Sequence, residues 1–209
     1  MKKILIFLSL LVGLFAAQLT MGQIAGSAHD FSGDSWSGGE ICIVCHTPHN
    51  AMTVSGAPLW NHALSATASY TLYTSPTLDA TPMGQPIAGS THNSQLCLAC
   101  HDGTVALENY GGVTNGTTFI TGGANFGNNL SNDHPIAFTY DAALATLDGG
   151  LFNPSTTNSG LGSTIADDML FSNTMQCASC HDVHNSYGFP ALLVKSNAGS
   201  ALCLTCHDK

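Results

Sequence analysis

Two stretches decide how this chain folds: Cys42-Ile43-Val44-Cys45-His46-Thr47-Pro48-His49-Asn50 and Cys177-Ala178-Ser179-Cys180-His181-Asp182-Val183-His184-Asn185. The first five residues of that pattern recur as Cys97-Leu98-Ala99-Cys100-His101 and Cys203-Leu204-Thr205-Cys206-His207. All 8 cysteines of the 209-residue chain fall into these four copies, and none is left over. In C-x-x-C-H the two thiols add across the vinyl groups of one haem, and the adjacent histidine is placed to ligate its iron. The spacing therefore predicts four covalently bound haem c groups. Their thioethers fall on Cys42, Cys45, Cys97, Cys100, Cys177, Cys180, Cys203 and Cys206. Their proximal iron ligands are His46, His101, His181 and His207.

Zinc sites built from paired C-x-x-C units and a disulfide framework are the competing readings. Neither explains a histidine after every second cysteine. Histidine is 10 of 209 residues, so four such coincidences fall on the order of 10⁻⁵ by composition alone. Thioredoxin-like redox chemistry needs one C-x-x-C in a βαβ setting, and no such setting is visible around any of the four.

At the N-terminus Lys2 and Lys3 precede an apolar run from Ile4 to Ala17, which reads as a secretory signal peptide over residues 1–22. The run is shorter than the roughly 20 residues a spanning helix requires, so no stable membrane span is expected. Cleavage after Gly22, with Thr20 at position −3, starts the mature chain at Gln23. No cysteine stands there to take a lipid. The expected location is secreted across the inner membrane, extracellular or at the cell surface, with the periplasm as the alternative.

Beyond the leader the basic residues are Lys195 and Lys209, and there is no arginine. Removing Lys2 and Lys3 takes the formal charge from −9 to −11. A chain so short of cations cannot neutralise phosphates, which excludes nucleic acid and anionic lipid as partners. Gly, Ser, Thr and Asn fill the stretches 110–133 and 149–164. These read as ordered coil, because Phe119, Ile120, Phe126, Leu151 and Phe152 within them call for burial.

Four of the ten histidines serve the motifs, leaving His29, His49, His62, His92, His134 and His184 for four distal positions. That supply favours two imidazoles on every iron over His/Met ligation by Met52, Met83, Met169 or Met175, and bis-histidine ligation sets low potentials. The expected distal ligands are His29, His49, His134 and His184, with His62 the rival to His29 and His92 a surface residue. His49 and His184 each lie three residues after a proximal histidine. On a helical turn that puts the two rings on one face, with Cβ atoms about 5–6 Å apart, whereas trans ligands of one iron need backbones roughly 12 Å apart. Each must therefore reach the iron of a neighbouring haem, which locks the porphyrins close together.

With so little chain per haem, the porphyrins must supply much of the apolar interior. The expected fold is mostly coil and loop, with a few short α-helices packed around four covalently bound haems and little or no sheet. Helices are expected at each motif, from Gln95 to Tyr110 and from Asp141 to Leu147. A single tetrahaem domain spans 23–209. The match of Cys42–Asn50 to Cys177–Asn185, and of Leu96–Asp102 to Leu202–Asp208, suggests two haem-pair halves, 23–132 and 133–209.

On Gly39 to Asn50, Leu96 to Val105, the Asp133-His134-Pro135 turn, Cys177 to Asn185 and the Cys203 motif, the chain resembles the extracellular tetrahaem filament cytochromes of the OmcE type and their multihaem relatives. The resemblance covers most of the mature chain. It implies an electron carrier rather than an enzyme: a subunit of a homopolymeric filament in which haems stack continuously and His49 ligates a haem of the adjoining subunit. Redox donors and acceptors would be its other partners. A soluble periplasmic shuttle, a subunit of a larger oxidoreductase, and a multihaem reductase are the alternatives.

Overall fold

A computed structural model describes residues 23–54, 56–81 and 93–208. The expected signal peptide and His92 lie outside the described residues. Within them, most of the backbone is turn and coil. Regular structure consists of strands β1 (Met52–Val54), β2 (Ala57–Trp60), β3 (Thr71–Leu72), β4 (Asn129–Leu130), β5 (Phe138–Thr139) and β6 (Thr174–Met175), with helices α1 (Ser94–His101), α2 (Ala142–Asp148), α3 (Ile165–Met169) and α4 (Cys203–Cys206). The strands form two-stranded ladders: β1 with β2 antiparallel, β3 with β4 parallel, β5 with β6 antiparallel.

Local chemistry sets the ends of these short helices. Asp141 caps α2 by accepting from the Leu144 amide, and Gly149, at φ 68°, closes it in the left-handed conformation glycine adopts without cost. Thr164 caps α3 by accepting from the Asp167 amide. The helix expected from Gln95 to Tyr110 stops at His101 instead. Asp102 turns its carboxylate onto the Thr104 amide at 2.8 Å, and Gly103 takes φ 73°. A side chain that competes for backbone amides, followed by a left-handed glycine, ends a helix. Motif helices form only at Cys97 and Cys203; the Cys177 motif is a 3-10 turn over Cys177–Ser179, and the Cys42 motif is a turn.

Two apolar clusters hold the chain together. One joins Phe138, Tyr140, Leu144, Ile165, Met169, Met175, Val194, Leu202 and Cys206, with Leu151 and Phe152 packed on its edge. The other joins Tyr70, Leu98, Leu130 and Ala137. Met169 and Met175 thus serve as core side chains. Leu151 and Phe152 find cover, whereas Phe119 and Phe126 stay exposed. The two sequence halves interlock: Ser94 Oγ donates to Gln176 Oε1 at 2.6 Å and accepts from the Cys177 amide at 3.0 Å, and Asn185 donates to the Gln23 carbonyl at 3.0 Å.

Candidate haem-binding site

All four motifs close the same turn: Cys97 to His101 within α1, and in the others the histidine amide donates to the carbonyl of the first cysteine, His46 to Cys42 at 2.8 Å, His181 to Cys177 at 3.1 Å, and His207 to Cys203 at 3.0 Å. One helical turn brings both sulfurs and the imidazole to one side of the backbone. A returning segment then pins the histidine. The Cys45 carbonyl accepts from Asn61 N and Thr47 N donates to Leu59 O; Cys180 accepts from Val194 and Asp182 donates to Leu192; Cys206 accepts from Phe152 and Asp208 donates to Gly150. In the second motif a single bond, Phe126 N to His101 O at 2.7 Å, does this work.

The same segments orient the rings. His46 Nδ1 lies 2.9 Å from Pro58 O, His101 Nδ1 2.7 Å from Ala124 O, and His181 Nδ1 2.9 Å from Ala191 O. A carbonyl can only accept, so each Nδ1 carries the proton and Nε2 keeps its lone pair for a metal. His134 is held alike, Nδ1 to Pro135 O at 2.9 Å.

Three of the expected distal residues lie beside motif histidines. The ring centroids of His46 and His184 are 6.2 Å apart, those of His101 and His29 6.1 Å, and those of His207 and His134 6.3 Å. Two imidazoles bound through nitrogen to opposite sides of one metal, at about 2 Å each, put their centroids roughly 6.3 Å apart. The interplanar angles of 15°, 52° and 75° do not conflict, because rotation about the ligand axis leaves that separation unchanged. His184 thus meets the histidine of the first motif and not that of its own. Burial, then the neighbouring His101 and His181, hold His29 below the usual imidazole range, which keeps it neutral as a ligand must be. Its Nδ1 is buried with no hydrogen-bond partner among the described residues.

His62 behaves otherwise. It is 1% exposed, with Nδ1 2.8 Å from Ala63 O and Nε2 3.1 Å from Ala106 O. A neutral ring has one N–H, so it donates to one of these carbonyls, and Nε2 also lies 3.7 Å from Cys100 Sγ. His49 is exposed, and His181 likewise. Among the described residues neither faces a second imidazole at the spacing of the three pairs.

None of the eight cysteines is joined in a disulfide. Burial pushes Cys45, Cys180 and Cys206 up to about 11 and Cys100 to about 12. Cys97 rises too, chiefly through its hydrogen bond with Cys177 and then through burial. Cys177 moves the other way, lowered to about 7 chiefly by its hydrogen bond with Cys97. Among the described residues no group of three or more His, Cys, Asp or Glu could hold a bare ion. Consecutive motifs are close: Cys45 and Cys100, Cys97 and Cys177, and Cys180 and Cys203 feel one another's charge. Exposed apolar side chains stand within or beside the motifs, at Ile43, Leu59, Phe126, Val183 and Leu204. Sulfur pairs, oriented imidazoles and apolar cover together fit a covalently held porphyrin.

Residues 171–209 match the family of the doubled CXXCH motif. That match marks a multihaem c-type cytochrome. No curated protein matches the chain. The function that follows for a c-type cytochrome is electron transfer through haem held on C-x-x-C-H. Three features of the site escape the sequence pattern. The carbonyls that set the ring tautomers come from return segments with no motif of their own. Phe126 stacks on His101 at 5.2 Å and 17°. Asp102, 4% exposed, gathers Ser65, Thr67, Tyr70 and Thr104 directly behind His101.

Proposed function

We propose that the chain carries four bis-histidine haems and passes electrons along them as the subunit of an extracellular polymeric filament. Each haem takes the two cysteines and the histidine of one motif. His184 completes the iron of His46, His29 that of His101, and His134 that of His207. What supports the polymer is the remainder: three imidazole pairs form within the chain, while His181 and the exposed His49 each lack a counterpart among the described residues. His49 of one subunit supplies the second imidazole to the haem of His181 in the next, which joins the haems of successive subunits without a gap.

In this arrangement the haem supplies the redox chemistry and the chain does three things. It fixes each imidazole tautomer through a backbone carbonyl, so that Nε2 faces the metal. It holds the porphyrins close by lending His184 from the third attachment segment to the first. It also leaves few cations near the haems, consistent with the low potentials that bis-histidine ligation sets.

Electron microscopy of the purified, haem-loaded protein tests the polymer. The expected result is a filament with a regular axial repeat for the wild type and its loss in His49→Ala, with porphyrin mass unchanged. Intact filaments in His49→Ala, together with their loss in His92→Ala, would move the bridging role to His92. The rival reading, an enzyme with an open iron, draws on the same unpaired His181. It predicts a monomer with one high-spin iron in four by electron paramagnetic resonance.

A further inference from the structure

Of the four lysines in the sequence, Lys195 alone lies among the described residues, and the chain has no arginine. It sits between the third and fourth motifs, partly buried, with its ammonium held in place. Nζ donates to Ser159 O at 2.7 Å and to Thr205 Oγ1 at 2.9 Å. Thr205 is the third residue of Cys203-Leu204-Thr205-Cys206-His207; it is itself buried and donates onward to Ala201 O at 3.0 Å. The loop makes room for the charge at Gly160, where a Cβ would stand 3.1 Å from Nζ and where φ is 80°. A residue with a side chain would meet both obstacles. Among the described residues no carboxylate forms an ion pair with Lys195. On that loop the Asp168 carboxylate accepts from Ser159 Oγ and the Ser163 amide.

We infer that Lys195 raises the reduction potential of the haem carried by Cys203, Cys206 and His207, so that this haem holds an electron more tightly than the other three. The inference rests on the haem assignment proposed above. Reduction takes one electron into ferric iron and gives ferrous iron, removing one positive charge from the bis-imidazole centre. A fixed cation beside that centre disfavours the ferric form more than the ferrous form. Half-buried and unpaired with an acid, it is screened less by water and salt than an exposed lysine. The second motif has the opposite neighbour, since the residue that follows His101 is the buried Asp102. Oppositely charged groups at the two sites spread their potentials in the same sense, and electrons dwell at the fourth haem.

Spectroelectrochemical titration of the haem-loaded full chain tests this, read beside its intact mass. In Lys195→Gln the highest-potential component, one quarter of the haem absorbance, is expected to move to more negative potential while the other three stay. Lys195→Arg keeps the charge and should keep the wild-type curve. Thr205→Val, which retains the lysine but removes one of its anchors, should give a smaller downward shift. It decides the matter if Lys195→Gln loads fewer porphyrins than wild type. A full haem load with an unmoved highest component in Lys195→Gln, or a uniform shift of all four, would overturn the role of Lys195 alone. Wild-type protein without added porphyrin mass would overturn the haem assignment and this inference with it.

Discussion

At the scale of single residues, the histidines separate by what their two nitrogens face. A ring with Nδ1 on a carbonyl and a second imidazole about 6 Å away is arranged for a metal; His62, with carbonyls at both nitrogens, is arranged for the core. The two kinds predict different failures. His184→Ala should convert one iron in four to the high-spin state, read by electron paramagnetic resonance, because the haem of His46 loses its second imidazole. His62→Ala should leave every iron low-spin and lower stability by about 2–4 kcal/mol, the range for emptying a buried, hydrogen-bonded site. A His62→Ala protein with a high-spin iron would make His62 a ligand. The motif histidines could be read from sequence since covalent chemistry fixes their spacing. The choice between His29 and His62 could not, because it depends on which segment folds over His101, and neither flanking sequence encodes that.

Asp102 shows another limit of sequence. Asp102 and Asp208 occupy the same place after their motifs, yet Asp102 is buried among hydroxyls and Asp208 is exposed. Burial alone would raise the Asp102 pKa; hydrogen bonds from Ser65, Thr104 and Tyr70 outweigh it and hold the carboxyl below its usual range. A depressed folded pKa stabilises the native state in full above the unfolded value of about 4, and that contribution is lost as pH falls through the lower folded value. Asp102→Ala should therefore lower the thermal midpoint at pH 7 and flatten the decline of stability below pH 4. Calorimetry across that range checks both.

At the scale of elements, the internal repeat legible in the sequence extends into the backbone. Asn50 and Asn185, which close the two longer motifs, take φ 56° and 54°; Leu59 and Leu192, on the two return segments, take 57° and 56°. Asparagine tolerates the left-handed region, whereas leucine does so only when its surroundings impose it. The matching strain at Leu59 and Leu192 follows from the paired hydrogen bonds that pin each histidine. Gly56-Ala57-Pro58-Leu59 and Gly188-Phe189-Pro190-Ala191-Leu192 share a glycine, a proline and a leucine, but the inserted Ala191 breaks the register, so this half of the repeat is hard to see without coordinates. The α2 helix, by contrast, was legible from end to end, since Asp141 and Gly149 are its stop signals and a short apolar stripe lies between them. Asp141→Ala should lower stability by about 1 kcal/mol, the usual worth of such a cap, with haem content unchanged; chemical denaturation followed by circular dichroism measures it. The helix expected to Tyr110 failed at Asp102-Gly103 because the buried hydroxyl cluster claims that carboxylate, a tertiary demand that overrides local periodicity.

For the whole molecule, the sparse secondary structure and the apolar side chains exposed beside the motifs leave little polypeptide core apart from two modest clusters. Haem-free mature chain should fail to fold cooperatively. Circular dichroism showing a sharp thermal transition in that material would contradict the expectation. Coil as the dominant backbone state was foreseeable from the Gly, Ser, Thr and Asn content and from four attachment points in so short a chain. The small ladders were not, since each strand is two to four residues long and carries no alternation to read. Nor was the interlock of Ser94 with Gln176 and Cys177, which joins residues far apart in sequence through one hydroxyl.

The pairing of His46 with His184 also has a bearing on how the protein is made. In the proposed assignment the first attachment segment is synthesised well before residue 184, so a porphyrin bonded there waits for its outer ligand. Under that assignment the C-terminal third of the polypeptide closes what the N-terminal third begins, and a chain cut short after His101 would lack the imidazole that seals the first haem.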